Sequence, residues 1–310
     1  MALALQVIVT GLAAGAGYGL LAIGFALVHR LTGVIHFALG ELVALAVVVT
    51  LFVASGPGLL TRSSVPALRF LAAGTAGIAV AAVAGLLTYF VAVRPFLRRG
   101  SAFGWVAAMV AVAFALHGVA GAALVRDSYL FPDPIPFERL GSGGVWSLGG
   151  GVTVPIRAFF VIAVGILLAE AAARVLSRSR TGRALQAIAT EPEGAHLTGL
   201  PVDRLLAFAF GLAGALAAIA ALVQAPSVPI TANTGALLGL KGLVAALLAG
   251  FGSPRRAFAA GLAVGVLEAT AASLHVGPVR LGAEYRDLVP LALALAVLSA
   301  RRLGARRTAE

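Results

Sequence analysis

The sequence predicts an all-α fold: a polytopic transmembrane helix bundle of about eight or nine spans, N-terminus outside and C-terminus cytoplasmic. Three observations predict it. The 310 residues are 60% hydrophobic and only 11% charged, with a mean hydropathy of +1.02, more apolar surface than a soluble core absorbs. Apolar runs at or near the roughly 20 residues needed to cross hydrocarbon as helix recur along the chain. Turn residues and arginines punctuate them, so each run has marked ends.

Spans are expected near 5–28, 32–54, 70–92, 103–125, 157–176, 205–224, 236–251, 257–274 and 288–300, the seventh and ninth being short. The first run, MALALQVIVTGLAAG, has no basic residue ahead of it, so it reads as a retained helix rather than a cleaved signal. Breaks are set by Ser55-Gly56-Pro57-Gly58, by Arg94-Pro95, by the Pro/Gly-rich stretch 126–156, by Pro226 to Pro229, by Gly252-Ser253-Pro254 and by Gly277-Pro278. The whole chain, 1–310, reads as one transmembrane domain. It carries a polar segment at 177–204 and an external loop at 126–156.

The net charge of +11 sits at the ends of apolar runs, which fits the positive-inside rule and not nucleic-acid binding. One set of alternate loops plus the tail holds fifteen arginines, and the other set holds seven. The richer set, with Arg94, Arg98, Arg99, Arg174, Arg178, Arg180, Arg183, Arg255 and Arg256 among its members, is expected in the cytoplasm. If two of the short segments are re-entrant the span count falls, but both termini keep their sides. Cysteine is absent, so no disulfide or cysteine metal site supports the fold. The loop from Arg126 to Arg157 contains Phe131-Pro132-Asp133-Pro134-Ile135-Pro136 and Gly149-Gly150-Gly151, and is expected to be an ordered cap with little regular helix. It serves either to dock an external partner or to shield helix ends.

Residues 11–41 and 211–241 superpose at a spacing of 200, with Gly11-Leu12-Ala13 over Gly211-Leu212-Ala213 and Glu41 over Lys241. With the first unit starting outside and the second inside, this would be an inverted repeat of the kind transporters use.

Ionisable groups within apolar runs carry the chemistry. Lys241 is the only lysine and lies in GALLGLKGLVAALLAG, Glu41 lies in HFALGELVALAVV, and Glu268 in GLAVGVLEATAAS. An ionised group near the bilayer centre costs about 2.5–3.5 kcal/mol on insertion scales, so such groups face the bundle interior and find a partner. His36, Gly40, Glu41, Lys241 and Glu268 are the candidates for a translocation path; the alternative is that they brace neighbouring helices. For His36 that alternative is an interhelical hydrogen bond. Glu170, near a span end, reads as structural. The five histidines show no metal-ligand spacing, and no phosphate-binding loop, G-x-S-x-G elbow or H-E-x-x-H motif occurs. No catalytic residue, metal site or cofactor is expected in this chain.

The segment 177–204 is polar inside an apolar protein. Ala184, Leu185, Ile188 and Ala189 fall at helical spacing. Thr190-Glu191-Pro192-Glu193 then reads as a helix start with a threonine cap, and Gly199 is placed to stop the short helix. Such a helix is either a handle for another protein or a solvated interfacial element.

Four blocks in order give the chain a resemblance to a known family. They are GLLAIGFALVHRLTGVIHFALGEL from Gly19 to Leu42; Arg94-Pro95; SRTGRALQAIATEPEGAHLTGLP from Ser179 to Pro201; and GLKGLVAALLAGFGSPR from Gly239 to Arg255, with GLAVGVLEA after it. The chain resembles a permease subunit of the branched-chain amino acid class of ABC importers. The resemblance implies a multi-pass subunit of the bacterial plasma membrane that pairs with a second permease, two cytosolic ATPases and an external solute-binding protein, with ATP used only by the ATPases. Glu191 to Leu200 would be the ATPase-coupling helix. There Glu193-Gly194-Ala195 and Gly199 echo the family's E-A-A-x-x-x-G, with Gly194 replacing alanine, and Glu191 and Leu197 complete the coupling set. Where the family reads N-F-A-H-G-E, this chain has His36-Phe37-Ala38-Leu39-Gly40-Glu41, which alters the polarity of the presumed path. Relatives serve branched-chain amino acids, urea, amides and other small solutes. The rival readings are a proton-coupled secondary transporter or channel acting without an ATPase, and a membrane scaffold.

Overall fold

The computed structural model describes residues 2–55, 66–99, 102–124 and 152–273, with short pieces between 128 and 147 and between 275 and 299. Eleven α-helical segments are described: α1 (Ala2–Thr32), α2 (Leu39–Ser55), α3 (Ala67–Thr88), α4 (Arg94–Arg98), α5 (Ala102–Ala123), α6 (Ile156–Arg178), α7 (Arg180–Thr190), α8 (Pro192–Leu197), α9 (Val202–Gln224), α10 (Thr234–Leu248) and α11 (Pro254–Ser273). By length and composition, five stretches can cross a membrane: Ala4–Thr32, Leu68–Leu97, Phe103–Ala123, Ile156–Arg178 and Val202–Ser227. The apolar helices α2 and α10 are shorter, at 17 and 15 residues. The chain is thus an all-α membrane protein. The span expected at 288–300 lies outside the described residues except for isolated positions.

Two boundaries differ from expectation. The second helix starts at Leu39 and not near 32, because α1 runs on to Thr32 and Gly33 adopts φ +68 to end it. Arg94-Pro95 is no break: α3 passes through a π-helical turn, Tyr89–Val93, into α4. Proline lacks an N–H and crowds the preceding turn. Widening the helix there, with the Arg94 amide donating to the Tyr89 carbonyl, accommodates it without ending the rod.

α1 is the central helix, packed on α6, α9, α10 and α11. Its glycines make this possible. Gly15 lies against Gly261, Gly19 against Phe258 and Gly11 against Gly265, a descending register that makes α1 and α11 antiparallel. A Cβ on Gly261 would sit 2.2 Å from the Gly19 backbone, so only glycine permits this approach. In lipid, packing of this kind replaces the hydrophobic effect as the force between helices.

The same arrangement recurs in the second half. α9 packs on α3, with Gly214 against the Ala81 carbonyl and Gly85 against that of Phe210. α1 and α9 meet with Gly24 beside Ala213 at one end and the Gln224 amide donating to the Ala14 carbonyl (2.8 Å) at the other, so they run antiparallel. α2 packs on α3 and α9 as α10 packs on α11 and α1. Exchanging α1 with α9, α2 with α10 and α3 with α11 preserves this packing pattern, as an inverted repeat requires.

The described part of 126–156 holds an antiparallel strand pair, β1 (Val145–Ser147) with β2 (Thr153–Pro155), while Tyr129 bridges to Ile230. A second pair, β3 (His275–Val276) with β4 (Val279–Arg280), follows α11.

Candidate functional site

The two short helices cross where glycine faces glycine. A Cβ on Gly40 of α2 would lie 2.6 Å from the Gly235 carbonyl of α10, and one on Gly239 would lie 2.6 Å from Gly40. Glu41 follows directly. It is buried, and its carboxylate lies 3.2 Å from Nδ1 of His117, which α5 contributes and which is about a third exposed. Sequence alone gives no reason to join these two residues, 76 positions apart on helices with no shared motif.

Lys241 does not face Glu41. Its ammonium donates to Glu268 of α11 at 2.9 Å, with side-chain exposures of 9% and 1%, and lies 5.5 Å from the Tyr18 ring centroid. The five path candidates therefore separate. Gly40 and Glu41 stand at the α2–α10 crossing beside α5, and Lys241 and Glu268 form a sealed pair tying α10 to α11. His36 departs from expectation. It is fully buried, yet neither ring nitrogen has a hydrogen-bond partner, and the ring packs on Phe210 at 5.0 Å. The interhelical hydrogen bond is not made.

The polar segment folds into α7 and α8. The Ser179 hydroxyl accepts from the Gly182 amide (2.9 Å) and caps α7, whose Gly182, Leu185 and Ile188 are buried. Thr190 is not the cap of α8. It ends α7, its hydroxyl donating to the Gln186 carbonyl, and Glu191 takes the cap position ahead of Pro192. Gly199 stops α8 as expected, with φ +76. The Gly199 amide donates to His196 and the Leu200 amide to Ala195, the paired bonds of a Schellman end. Ala195 points inward, while Glu191, Glu193 and Gly199 are exposed and Leu197 is 89% exposed. Gly194 is half-buried, and a Cβ there would meet only the flexible Glu191 side chain at 2.8 Å.

Each flank of this segment is tied to the bundle. Upstream, Glu170 of α6 accepts two 2.8 Å bonds from Arg255 at the start of α11, and also pairs with Arg174. Downstream, Asp203 at the start of α9 accepts from the Tyr89 hydroxyl (2.8 Å) and from Arg94 (3.1 and 3.0 Å), both at the π turn. Sequence reasoning does not single out Asp203 or Tyr89; an acid in the first turn of a helix has a local explanation in the helix dipole. Among the described residues no group of His, Cys, Asp or Glu could hold a metal.

A close-packed bundle of apolar helices in which α1, α2 and α3 pack as α9, α10 and α11 do, with a buried Lys–Glu pair inside and one small helix at its end, is that of a polytopic membrane protein. The chain belongs to the family described as the branched-chain amino acid transport system / permease component, whose model matches residues 7–298. It is 31% identical over 301 residues to the high-affinity branched-chain amino acid transport system permease protein BraD of Pseudomonas aeruginosa, covering 97% of this chain and 94% of that one. It is 30% identical over 300 residues to the corresponding permease LivH of Salmonella typhimurium and 29% over 303 residues to LivH of Escherichia coli K12, covering 95% of this chain and 92% of each. As a family member the chain is a multi-pass membrane permease component and not itself the ATPase. Membership favours this over a secondary transporter working alone.

Proposed function

We propose that this chain is one membrane half of an ATP-driven importer of branched-chain amino acids or a closely related small polar solute. It pairs with a second permease, is driven by two cytosolic ATPases and is fed by an external binding protein. The observation that carries the reading is α8. A six-residue helix with a nearly naked leucine, Leu197, stands outside a membrane bundle, and the helices before and after its segment, α6 and α9, are ion-paired to Arg255 and Arg94 of that bundle. One exposed leucine is ordinary by itself; it supports a contact here because it stands on the helix that carries Glu193 and Ala195 and is stopped by Gly199, residues of the E-A-A-x-x-x-G pattern.

The arginine distribution supports placing α7, α8 and both anchoring pairs in the cytoplasm, with the N-terminus outside. ATP-driven closure of the ATPases would carry α8, and the anchors would pass its displacement to α11 through Glu170–Arg255 and to α3 through Asp203–Arg94. The α2–α10 crossing, with Glu41 beside it, would then change the side to which the path opens. The whole chain acts as one permease domain.

The test is co-purification and transport. The tagged chain, expressed with its neighbouring genes, should bring down two ATPases and a second permease, and the assembly should import a branched-chain amino acid into ATP-loaded vesicles. Leu197→Asp should release the ATPases while leaving the chain in the membrane. Full ATPase retention by that variant would sink the coupling role of α8.

A further inference from the structure

A cavity of about 210 Å³ lies between the polar segment and the bundle. Its walls come from four elements that end at the same level: the last turns of α1 (Leu27, Leu31), the end of α6 (Leu176), α7 (Leu185) and the α10–α11 turn (Ser253). That turn is held open by geometry. Gly250 and Phe251 both take left-handed backbone, φ +64 and +51, and the Phe251 ring packs on His29 at 4.0 Å. Phe251 is the only non-glycine residue at positive φ among the described residues, a conformation the surrounding packing must hold in place.

Two guanidiniums reach this cavity, and they differ. Arg255 is neutralised by its two bonds to Glu170. Arg30 is exposed at the mouth, and among the described residues no carboxylate pairs with it. The space therefore has a cationic rim, apolar walls and the depth of a helix end. At about 210 Å³ it is sized for part of a lipid, a headgroup and the start of a chain, and not for a whole one.

We propose that this cavity binds an anionic membrane phospholipid, the phosphate at Arg30 and the upper acyl segment along Leu27, Leu176 and Leu185. A soluble phosphate has no use for the leucine walls, and a zwitterionic lipid, whose own cation offsets its phosphate, gains less from Arg30 than a net-anionic one. Basic pockets between helix ends on the cytoplasmic side are where anionic headgroups lodge. The occupant touches α7 and the bundle together, so it sets how tightly the coupling segment is seated. That this end of the bundle meets the cytoplasmic leaflet rests on the proposed orientation.

The test uses the full permease complex in vesicles of phosphatidylcholine carrying a trace of photoactivatable phosphatidylglycerol, with adducts mapped by mass spectrometry. Adducts should fall on the peptides holding Leu27, Leu176 and Leu185. Arg30→Gln should cut them about fivefold, the equivalent of about 1 kcal/mol for one Arg near the surface. Ala189→Phe, which fills the cavity from α7, should cut them without touching the charge, while Arg256→Gln, outside the lining, should not. Equal labelling by a phosphatidylcholine probe, undiminished labelling in both Arg30→Gln and Ala189→Phe, or competition by free glycerol phosphate would overturn the proposal. The readout needs neither nucleotide nor solute, so it fails or succeeds independently of whether the chain imports amino acids.

Discussion

The Lys241 ammonium and the Glu268 carboxylate meet at 2.9 Å with almost no exposure, while Glu41 turns away from both and toward His117. Of the two interior pairs, only the one at Glu41 has a member with substantial exposure. The sealed pair holds α10 against α11, and α10 in turn crosses α2 at Gly40. The sealed pair and the Glu41–His117 pair, where the path is proposed, thus sit on opposite sides of one short helix.

Removing one member of the sealed pair leaves the other charged and buried. Lys241→Met should therefore destabilise the chain by about 3–5 kcal/mol, whereas Lys241→Met with Glu268→Met should recover most of that loss. Thermal unfolding in detergent of the two variants beside the parent checks it. A double variant no more stable than the single would mean that the pair does more than brace.

Asp203 presents the opposite case. Both it and Arg94 are about a third exposed, so their ion pair contributes at most about 1 kcal/mol to stability. Its expected role is mechanical: Asp203→Ala should leave the unfolding midpoint nearly unchanged yet reduce transport per ATP hydrolysed. Tyr89→Phe, which removes one of the bonds to the carboxylate, should show a smaller loss of the same kind. The measurement is solute uptake and phosphate release in the same vesicles.

The helices themselves were legible because each apolar run has length and punctuation. The recurrence of the α1 packing in α9 was legible in Gly11-Leu12-Ala13 and Gly211-Leu212-Ala213, since the close approaches of α1 and α9 demand small residues in both halves. Other features hid because they depend on tertiary partners. Arg94-Pro95 reads locally as a stop, and only the joined course of α3 and α4 reveals a π turn. Thr190 is a good cap in isolation, but its hydroxyl is already engaged by Gln186 of α7. His117 and Glu41, or Lys241 and Glu268, meet only once the helices are packed, and no local spacing encodes that.

Glycines in this bundle should divide sharply on substitution. Gly261→Ala places a methyl within van der Waals radius of the Gly19 backbone, which cannot move aside, so the variant should fail to accumulate as a folded protein in the membrane. At Gly118 of α5 a Cβ would meet nothing within 4 Å. Gly118→Ala should be neutral or stabilising by about 0.5–1 kcal/mol, the ordinary helix gain over glycine. Membrane-fraction yield and thermal midpoint of the two variants separate the outcomes.

The end of α8 gives the most local prediction. Gly199 has open space around its Cα, so size is no constraint there, but its φ of +76 is a conformation that a residue with a Cβ enters at a cost of about 1–2 kcal/mol. Gly199→Ala should weaken the Schellman end and let α8 wander relative to Leu200, lowering solute-stimulated ATPase activity while membrane insertion stays intact. Gly199→Asn, which tolerates the left-handed region, should keep most of that activity despite being larger. Ranking by size, with asparagine worse than alanine, would mean that this position contacts the ATPase directly and that backbone conformation is not what it contributes.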